Sequence, residues 1–326
     1  MSNKIILFKD NYINNSFNNF NSSVAILLCT MQGRRFLREQ LDSIVNQNHP
    51  YWSIWASDDG SVDGTQDIIK EYQKKIGEEK FTIEIGPGQG YVRNFLSLVC
   101  NPKISAKYYA YSDQDDIWLP DKISRALEWL NTVPATVPAL YCARTCNVDE
   151  QNQVLGLSPL FAKQPSFANA LVQSIAGGNT MVFNQAACEL LRKAGPEVKV
   201  ASHDWWTYLV VTGCGGQVYY DHEPGLRYRL HGSNQIGANN TWVARAIRAV
   251  LLFNGRFSEW TDMNLASLRR LSDHLAPDAE RLLDEFCRVR AQNFFSRMIG
   301  IKRCGVYRQT RMGDFGLLIA ILFKKI

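Results

Sequence analysis

Short apolar segments alternate with amphipathic ones through the first third of the chain, and this alternation restricts the fold more than any other feature. The run VAILLC at 24–29 is apolar throughout, as in a strand buried on both faces. Leu37, Leu41 and Ile44 follow at the spacing of a helix. The pattern repeats, with further strands predicted at YWSIWAS, FTIEIG and KYYAYS. This order predicts an α/β sheet with crossover helices.

Polar residues or glycines come directly after each of these predicted strands. In parallel sheets the ligand lies beyond the carboxyl ends of the strands, so the sequence predicts a nucleotide-type cleft at that edge. The residues that follow the strands are, in chain order, Thr30, Asp58 and Asp59, Gly88 and Gly90, and Asp113 and Asp115.

The segment SDQDDIWLPDK is the most acidic of these strand ends. Asp113, Asp115 and Asp116 follow a buried strand and precede a helix that starts near Pro120. Carboxylates spaced as Asp-x-Asp can hold Mg²⁺ or Mn²⁺ while leaving coordination sites for phosphate oxygens. The alternative is a solvated acidic loop. Asp121 suits the first turn of the helix and is left out of the site.

Four other segments each allow a functional and a structural interpretation. In SDDGSVDGT, Asp58 or Asp59 would accept hydrogen bonds from a nucleobase, or the segment caps a helix. Arg93 in GPGQGYVRN would contact a pyrophosphate, or is a surface arginine after a tight turn. Asp204 in SHDWW would be a general base, or part of a helix cap. His231 in YRLHGSNQIG would grip a diphosphate or a metal, or is structural.

Composition excludes several broad classes. The 326 residues carry 36 Lys and Arg against 31 Asp and Glu, and this net charge of +5 does not indicate nucleic-acid binding in the absence of a recognition motif. Eight scattered cysteines predict reduced, buried thiols of a cytosolic protein and no disulfide framework. The Asn-rich stretch 1–21 is interpreted as a flexible leader without a signal peptide. No apolar run reaches the roughly 20 residues that a membrane-spanning helix needs.

The C-terminal region is predicted to be mainly helical and basic. Between Val289 and Gly313 there is no acidic residue. Six basic residues are interleaved with apolar ones in this interval: Arg290, Arg297, Lys302, Arg303, Arg308 and Arg311. Such a pattern favours binding to an anionic membrane surface. The alternative is packing on the core or on a second subunit, which leaves the oligomeric state open.

Six segments, taken in order, resemble the family 2 glycosyltransferases, which are inverting enzymes with a GT-A fold. They span roughly residues 22–235 and read ILLCTMQGRRFLREQLDSIVNQ, ASDDGSVDGT, YSDQDDIWLPDK, GGNTMVFN, HDWW and YRLHGSNQIG. SDQDDIWLPDK and YRLHGSN are especially similar to bacterial rhamnosyltransferase-like members that build O-antigen, capsule or related surface polysaccharides. The resemblance implies a Rossmann-like GT-A domain over 22–238, with a nucleotide-sugar half at about 22–120, an acceptor half at about 121–238, and a helical region over 239–326.

The resemblance also implies roles on the donor side. Thr30, Asp58 and Asp59 would lie against the nucleobase, and Arg93 would lie near the diphosphate. Asp116 would support the sugar or the metal shell. The segment before Gly33 departs from the family, because it reads CTMQG where many members have Tyr-Asn before the glycine.

The metal and acceptor positions follow from the same resemblance. Asp113 would lie near the ribose, Asp115 would ligate Mg²⁺ or Mn²⁺, and His231 would lie near the metal and the diphosphate. The implied metal set is therefore Asp115, Asp113 and His231. The implied acceptor side and general base are Gly177, Gly178, Asn179 and Asp204. The family often has Glu-Asp at the base position, whereas this chain has His203 before Asp204.

The implied activity is metal-dependent, inverting transfer of a sugar from a dTDP-, UDP- or GDP-linked donor. Rhamnose is the sugar that the rhamnosyltransferase-like segments favour, and the acceptor would be a hydroxyl of a growing, lipid-linked bacterial surface glycan. The enzyme would be cytoplasmic and peripheral on the inner face of the plasma membrane. Two alternatives remain open: a nucleotidyltransferase that makes nucleotide sugars, and a non-catalytic protein that binds them or scaffolds a glycan assembly complex.

Overall fold

The computed structural model describes residues 22–232 and 255–326. The first four strands are β1 (Val24–Thr30), β2 (Trp52–Asp58), β3 (Phe81–Ile85) and β4 (Tyr108–Ser112). They run parallel in the order β3-β2-β1-β4. The connecting helices are α1 (Leu37–Val45), α2 (Thr65–Ile76) and α3 (Tyr91–Cys100). The predicted alternation of strands and helices is confirmed.

The second half of the sheet continues the first in the order β8-β6-β9-β5, and β7 pairs with β6. Its direction is mixed, because β8 is antiparallel to β4 and β6 is parallel to β9. The strands are β5 (Ile117–Trp118), β6 (Ala139–Val148), β7 (Val154–Leu157), β8 (Val182–Asn184) and β9 (Gln217–Arg229). The helices between them are α4 (Lys122–Leu130), α5 (Phe167–Ala170), α6 (Gln185–Ala194) and α7 (His203–Gly213), and a 3₁₀ turn spans Gly178–Thr180.

The Pro224–Gly225 dipeptide in QVYYDHEPGLRYR predicts a turn between two strands, and this prediction is wrong. The segment forms the single strand β9, which pairs with β6 on both sides of that dipeptide. The register shifts around Arg144, which lies opposite Pro224. Proline cannot donate a ladder hydrogen bond, and a bulge accommodates it by bending the strand and leaving extra residues unpaired.

Two apolar clusters cover the two faces of the sheet, and β1 contributes to both. Val24, Ile26 and Leu28 belong to one cluster, whereas Ala25 and Leu27 belong to the other. Successive side chains of a strand point to opposite faces. A strand covered on both faces therefore has no polar position, which is why VAILLC is continuously apolar.

The C-terminal helices complete one of these clusters. They are α8 (Arg256–Leu268), α9 (Pro277–Ala291), α10 (Phe294–Cys304) and α11 (Arg311–Leu322), with a 3₁₀ segment at Arg269–His274. Leu271, Phe286 and Ile301 are buried in the same cluster as Trp206 of α7. The helical prediction is confirmed for this part of the chain, and the helices pack on the core of the sheet.

Some predictions concern residues outside the described ranges. The leader at 1–21 and the domain boundary at 238–239 lie there, so both stay predictions. All eight cysteines are free thiols, four of them buried and four only half-buried. Across 22–232 and 255–326, the helices are too short or too polar to cross a membrane.

Candidate active site

Thr30 and Asp58 lie side by side where β1 and β2 end. Thr30 Oγ1 donates to Asp58 Oδ1 at 2.8 Å. Ser61 donates to the same carboxylate through its backbone N at 2.8 Å and its Oγ at 2.6 Å, and Gln66 donates at 2.9 Å. Burial opposes the ionisation of Asp58, but these hydrogen bonds outweigh it and hold the pKa of the carboxyl below its usual value. Asp58 therefore shapes the turn after β2 as an ionised, internally bonded group.

Asp59 holds the glycine loop, residues 86–90, that precedes α3. Its two carboxylate oxygens accept hydrogen bonds from Gly88 N at 2.7 Å and Gly90 N at 2.8 Å. Both glycines have φ in the left-handed region, at +66° and +89°. Asp59 and the start of the loop line a cleft of about 260 Å³ beside the end of β2. Asp59 is also predicted to contact the nucleobase. In the structure its carboxylate is already hydrogen-bonded to this loop.

Arg93 is engaged away from the aspartates. Its guanidinium donates to the carbonyl of Pro196 and to the carboxylate of Glu197, in the loop between α6 and α7. These contacts do not bring its charge to the acidic segment. Its role near a diphosphate stays a prediction, and that role requires the pair with Glu197 to open.

The Asp-x-Asp loop, residues 113–116, concentrates negative charge next to α7. Burial raises the pKa of Asp113 to about 7, and the charges of Asp115 and Asp204 add to the rise. Asp116 is fully buried, and burial raises its pKa well above the usual value, with further contributions from Asp115 and Asp113. The fold therefore brings the predicted metal residues and the predicted base into one electrostatic environment that favours a cation.

The end of β9 and the residues just after it pack against this loop through Arg229 and His231. His231 Nε2 lies 2.8 Å from Asp115 Oδ2, and Arg229 Nε donates to the backbone oxygen of Asp115 at 3.2 Å. Both side chains contact the Phe36 ring, to which the His231 ring is tilted by 37°, and Arg229 also pairs with Glu39 at 2.7 Å. His231 and Asp115, two residues of the predicted metal set, are thus in direct contact, and their role at a metal stays a prediction.

The donor atoms at this contact suit a divalent cation. Across 22–232 and 255–326, no group of three or more His, Cys, Asp or Glu side chains is arranged to hold a metal by itself. A carboxylate oxygen of Asp115 and an imidazole nitrogen of His231 nevertheless meet at 2.8 Å, with the carboxylate of Asp113 close in sequence. Mg²⁺ and Mn²⁺ accept such ligands and commonly take the remainder from phosphate oxygens and water. The residues therefore fit the cation.

Asp204 lies in the first turn of α7. Its Oδ1 accepts hydrogen bonds from Ser202 Oγ and from Trp205 N, the latter at 2.6 Å. Trp205 and Trp206 are core residues, and Trp205 donates its indole N–H to a backbone carbonyl 2.7 Å away. The neighbouring His203 is buried, which lowers its pKa to about 4 and keeps the imidazole neutral at physiological pH. The role of Asp204 as the general base stays a prediction.

The predicted acceptor residues form a tight turn between the Asp-x-Asp loop and α7. Thr180 N donates to the Gly177 carbonyl at 3.0 Å and closes the turn. Asn179 Nδ2 donates to Asp116 Oδ2 at 2.6 Å. Gly178 lies against His203, because a Cβ at position 178 would come within 2.3 Å of the imidazole Nε2. The three predicted acceptor residues are therefore brought to the same site as the acidic loop and Asp204.

Comparison with known proteins decides the family. The model of glycosyl transferase family 2 matches residues 25–191, about half of the chain, and includes β1, the Asp-x-Asp loop and the 178–180 turn. The chain belongs to glycosyl transferase family 2. The prediction that it is a glycosyltransferase is confirmed, and a nucleotidyltransferase is no longer the competing assignment.

Relatives of this glycosyltransferase are found in bacteria. The dTDP-rhamnosyl transferase RfbG of Shigella flexneri is 28% identical over 241 residues, which are 70% of this chain and 79% of RfbG. The putative teichuronic acid biosynthesis glycosyltransferase TuaG of Bacillus subtilis is 30% identical over 114 residues, 34% of this chain and 43% of TuaG. Among solved structures, residues 1–349 of S. aureus TarS in complex with UDP-GlcNAc align with a TM-score of 0.50 and 12% identity, over 93% of this chain and 89% of that one. The predicted GT-A fold is confirmed.

Two residues of the glycosyltransferase site were missed in the sequence. Gln114, the central residue of Asp-x-Asp, receives the backbone N–H of Met31 at 2.8 Å and donates to the Met31 carbonyl at 2.9 Å, so it joins the loops after β1 and β4. Lys122 is buried, lies 3.3 Å from the centre of the Trp118 ring and donates to the Asn179 carbonyl at 2.7 Å. A lysine at a helix start looks exposed in sequence, and only the acidic neighbourhood hints at a buried cation.

Proposed function

We propose that this glycosyltransferase carries out metal-dependent, inverting transfer of a sugar from a nucleotide diphosphate donor to a hydroxyl of a growing bacterial surface glycan. The observation that carries the proposal is that the carboxylates of the Asp-x-Asp loop lie near the carboxylate of Asp204, although their surroundings differ. Asp115 lies beside His231, just after the end of β9, and Asp113 is two residues before Asp115, directly after β4. Asp204 begins α7 close enough to raise the pKa of Asp113. The residues proposed to bind the donor and the proposed base therefore lie together in one site.

Asp204 is the general base of the proposed reaction. It takes the proton of the acceptor hydroxyl as that oxygen attacks the anomeric carbon. The new C–O bond forms while the bond from the anomeric carbon to the phosphate oxygen breaks, and the nucleoside diphosphate leaves with the electron pair. A single in-line displacement inverts the anomeric configuration and needs no covalent intermediate. The Ser202 and Trp205 hydrogen bonds orient the Asp204 carboxylate for this task.

In this proposal the divalent cation would assist departure of the leaving group, the nucleoside diphosphate. Asp115 would hold Mg²⁺ or Mn²⁺ with Asp113 and His231, and when bound the metal would neutralise charge on the departing diphosphate. The glycine loop that Asp59 positions, together with Thr30 and Asp58, would receive the nucleoside. Gly177 and Gly178 would line the acceptor side, next to Asn179.

Rhamnose is the donor sugar that we propose. The support is the similarity over most of the chain to the Shigella flexneri protein named as a dTDP-rhamnosyl transferase. The Bacillus subtilis relative named for teichuronic acid biosynthesis supports a surface glycan as the setting. A lipid-linked acceptor is consistent with the apolar and basic surface described below.

The test compares wild-type protein with Asp204→Asn in a transfer assay with dTDP-rhamnose, Mn²⁺ and a lipid-linked acceptor extract. We expect Asp204→Asn to lower the transfer rate by about 10²- to 10⁴-fold, because general base catalysis contributes that much. The dissociation constant for the donor, measured by calorimetry, should stay within about twofold. Loss of donor binding together with transfer would contradict the base role, and retention of anomeric configuration in the product would contradict inversion.

We also propose that the C-terminal helices hold the enzyme on an anionic membrane surface. Large apolar side chains are exposed on α10, α11 and the residue that follows them: Phe294, Phe295, Ile299, Met312, Phe315, Leu318 and Phe323. On α10, Phe295 and Ile299 share the exposed side with Lys302 and Arg303. Apolar side chains that insert among headgroups, next to cations that attract anionic lipid, suit such a surface.

Sedimentation with vesicles tests this surface. Wild-type protein should bind phosphatidylglycerol vesicles and leave phosphatidylcholine vesicles unbound at physiological salt. Phe295→Ser combined with Phe315→Ser should weaken binding by about tenfold or more, because two large apolar groups no longer enter the bilayer. Val154→Ser with Leu155→Ser on β7 is the matched control, since these side chains are equally apolar and also exposed. Equal loss in both pairs would contradict the assignment to α10 and α11.

A further inference from the structure

Asn179 forms hydrogen bonds with two elements at once, the Asp-x-Asp loop and α4. Its side-chain amide donates to Asp116 Oδ2 at 2.6 Å, and its backbone carbonyl accepts from Lys122 Nζ at 2.7 Å. Asp116 belongs to the Asp-x-Asp loop, and Lys122 is the first residue of α4. All three residues are buried, with exposed fractions of 3% for Asn179, 0% for Asp116 and 1% for Lys122. We call these three residues the Asn179 network.

The residue before Asn179 contacts the acceptor side. Gly178 and Asn179 are consecutive in the 3₁₀ turn, and Gly178 abuts the imidazole of His203. His203 is stacked on Phe95 with ring centroids 3.9 Å apart, so the ring has little freedom to move away. His203 is followed directly by Asp204. A continuous set of contacts therefore runs from the Asp-x-Asp loop through the turn to the proposed base.

Asp116 does not face the cleft as a free ligand. Its side chain is inaccessible to solvent, and one carboxylate oxygen is occupied by Asn179. Its other oxygen, Oδ1, is buried and has no hydrogen-bond partner in the described residues. A carboxylate in such a place is costly unless a nearby cation compensates it. Lys122 lies buried on the other side of Asn179, where burial lowers the pKa of this lysine well below its usual value and the charges of Asp116 and Asp113 counteract that lowering.

We propose that Asn179 is a positioning residue that sets the separation between the Asp-x-Asp loop and Asp204, with Asp116 and Lys122 as its anchors, and that neither Asp116 nor Asn179 touches substrate. This inference rests on the proposed function, since it assigns the donor to one side of the turn and the base to the other. Its consequence is kinetic: loss of the network misplaces donor and base relative to each other, and transfer slows although the donor still binds.

Kinetics of Asn179→Ala provide the first test. We expect kcat to fall by about 10- to 100-fold, because a misplacement of about 1 Å can cost that much, while the dissociation constant of the donor stays within about twofold. Asn184→Ala is the matched control. Asn184 is also a buried asparagine with three hydrogen bonds, but it lies at the far end of β8, opposite Tyr108. It should lower the melting temperature and leave kcat within about twofold.

Two substitutions of Asp116 distinguish positioning from ligation. Asp116→Asn keeps an oxygen that accepts the Asn179 amide and removes the charge, so we expect a smaller loss of kcat than in Asp116→Ala. Asp116→Ala removes the acceptor and should resemble Asn179→Ala. If Asp116 instead held the metal or the sugar, Asp116→Asn would weaken donor binding as much as Asp116→Ala does, and that result would overturn the inference.

Thermal unfolding tests the network without any activity. Each single alanine variant leaves a buried polar partner unpaired, so the melting temperatures of Asp116→Ala, Asn179→Ala and the double variant should be clearly non-additive. Additive shifts would overturn the network. Failure of the proposed function would look different: wild-type protein would transfer no sugar, while the unfolding cycle would still show the coupling. Equal loss of kcat in Asn179→Ala and Asn184→Ala would overturn the positioning role alone.

Discussion

Adjacent residues of the same type have different tasks in this protein. Asp58 and Asp59 are neighbours, yet Asp58 is bonded within its own turn while Asp59 receives the backbone of the glycine loop. The carboxylate of Asp115 contacts the imidazole of His231, whereas the buried carboxylate of Asp116 accepts a hydrogen bond from Asn179. The sequence shows only carboxylates at strand ends. Which of them face the cleft depends on contacts with residues more than 20 positions away, so it could not be predicted from local pattern.

His203 gives a pH-dependent prediction at the residue level. Burial lowers its folded-state pKa to about 4, whereas in the unfolded chain the imidazole takes up a proton near 6.5. Between these values the unfolded state binds more protons, so His203 contributes stability above pH 6.5 that is lost as the pH falls toward 4. His203→Phe, which keeps a flat ring against Phe95, removes this contribution.

Urea unfolding at pH 7.5 and pH 4.5 measures the effect. The loss of unfolding free energy between these two pH values should be smaller in His203→Phe than in wild type, by on the order of 2 kcal/mol. His274→Phe is a suitable control, because His274 is exposed on the 3₁₀ segment before α9. An identical pH dependence in His203→Phe and wild type would contradict the buried, neutral imidazole.

At the level of elements, the first half of the fold follows directly from sequence and the second half does not. Continuous apolar runs and helical spacing identify β1 to β4 and α1 to α3 because each buried face leaves its period in the residues. The two-residue strand β5 leaves no such period. The Pro224–Gly225 dipeptide has the composition of a turn, but pairing with β6 on both sides overrides that local preference. Asp204 lies in the first turn of α7, as the sequence indicates, and its role as the base stays a prediction.

At the level of elements, the glycine loop gives a testable prediction about donor binding. Asp59→Ala removes the acceptor for the N–H groups of Gly88 and Gly90, so the loop is less ordered in the free variant. Ordering it on donor binding then costs conformational entropy, which weakens binding. We expect the donor dissociation constant to rise roughly tenfold, equivalent to about 1.4 kcal/mol, with kcat at saturating donor within about threefold. Calorimetry and steady-state kinetics measure the two effects. An unchanged dissociation constant would show that the loop does not form part of the donor site.

At the level of the whole molecule, the C-terminal helices are part of the core that supports the base. Phe286 of α9 is fully buried in the cluster that also contains Trp206 and Leu209 of α7. The charge pattern that favours a membrane surface therefore belongs to helices whose other side is fixed to the catalytic domain. The sequence predicted helices and a basic surface and left packing on the core as an alternative to membrane binding, because burial against a distant helix has no local signature.

Phe286→Ala tests that shared core. The substitution should lower the free energy of unfolding by about 3 to 5 kcal/mol, as for other buried phenylalanines. Phe295→Ala should change it by less than about 0.5 kcal/mol, because Phe295 is 77% exposed. Unfolding followed by tryptophan fluorescence and by far-UV circular dichroism should give one coincident transition in wild type. Two separated transitions, with Phe286→Ala affecting only one, would contradict a common core.

The most direct test of the account is metal-dependent donor binding at Asp115. Melting temperatures would be measured with dTDP-, UDP- and GDP-sugars, with and without Mn²⁺, for wild type, Asp115→Ala and the control Asp121→Ala, whose side chain is half exposed outside the site. A donor at a hundred times its dissociation constant stabilises by about 2.7 kcal/mol. The account predicts this stabilisation for one nucleotide class, only with Mn²⁺, absent in Asp115→Ala and intact in Asp121→Ala. Stabilisation that persists without metal or in Asp115→Ala would contradict it.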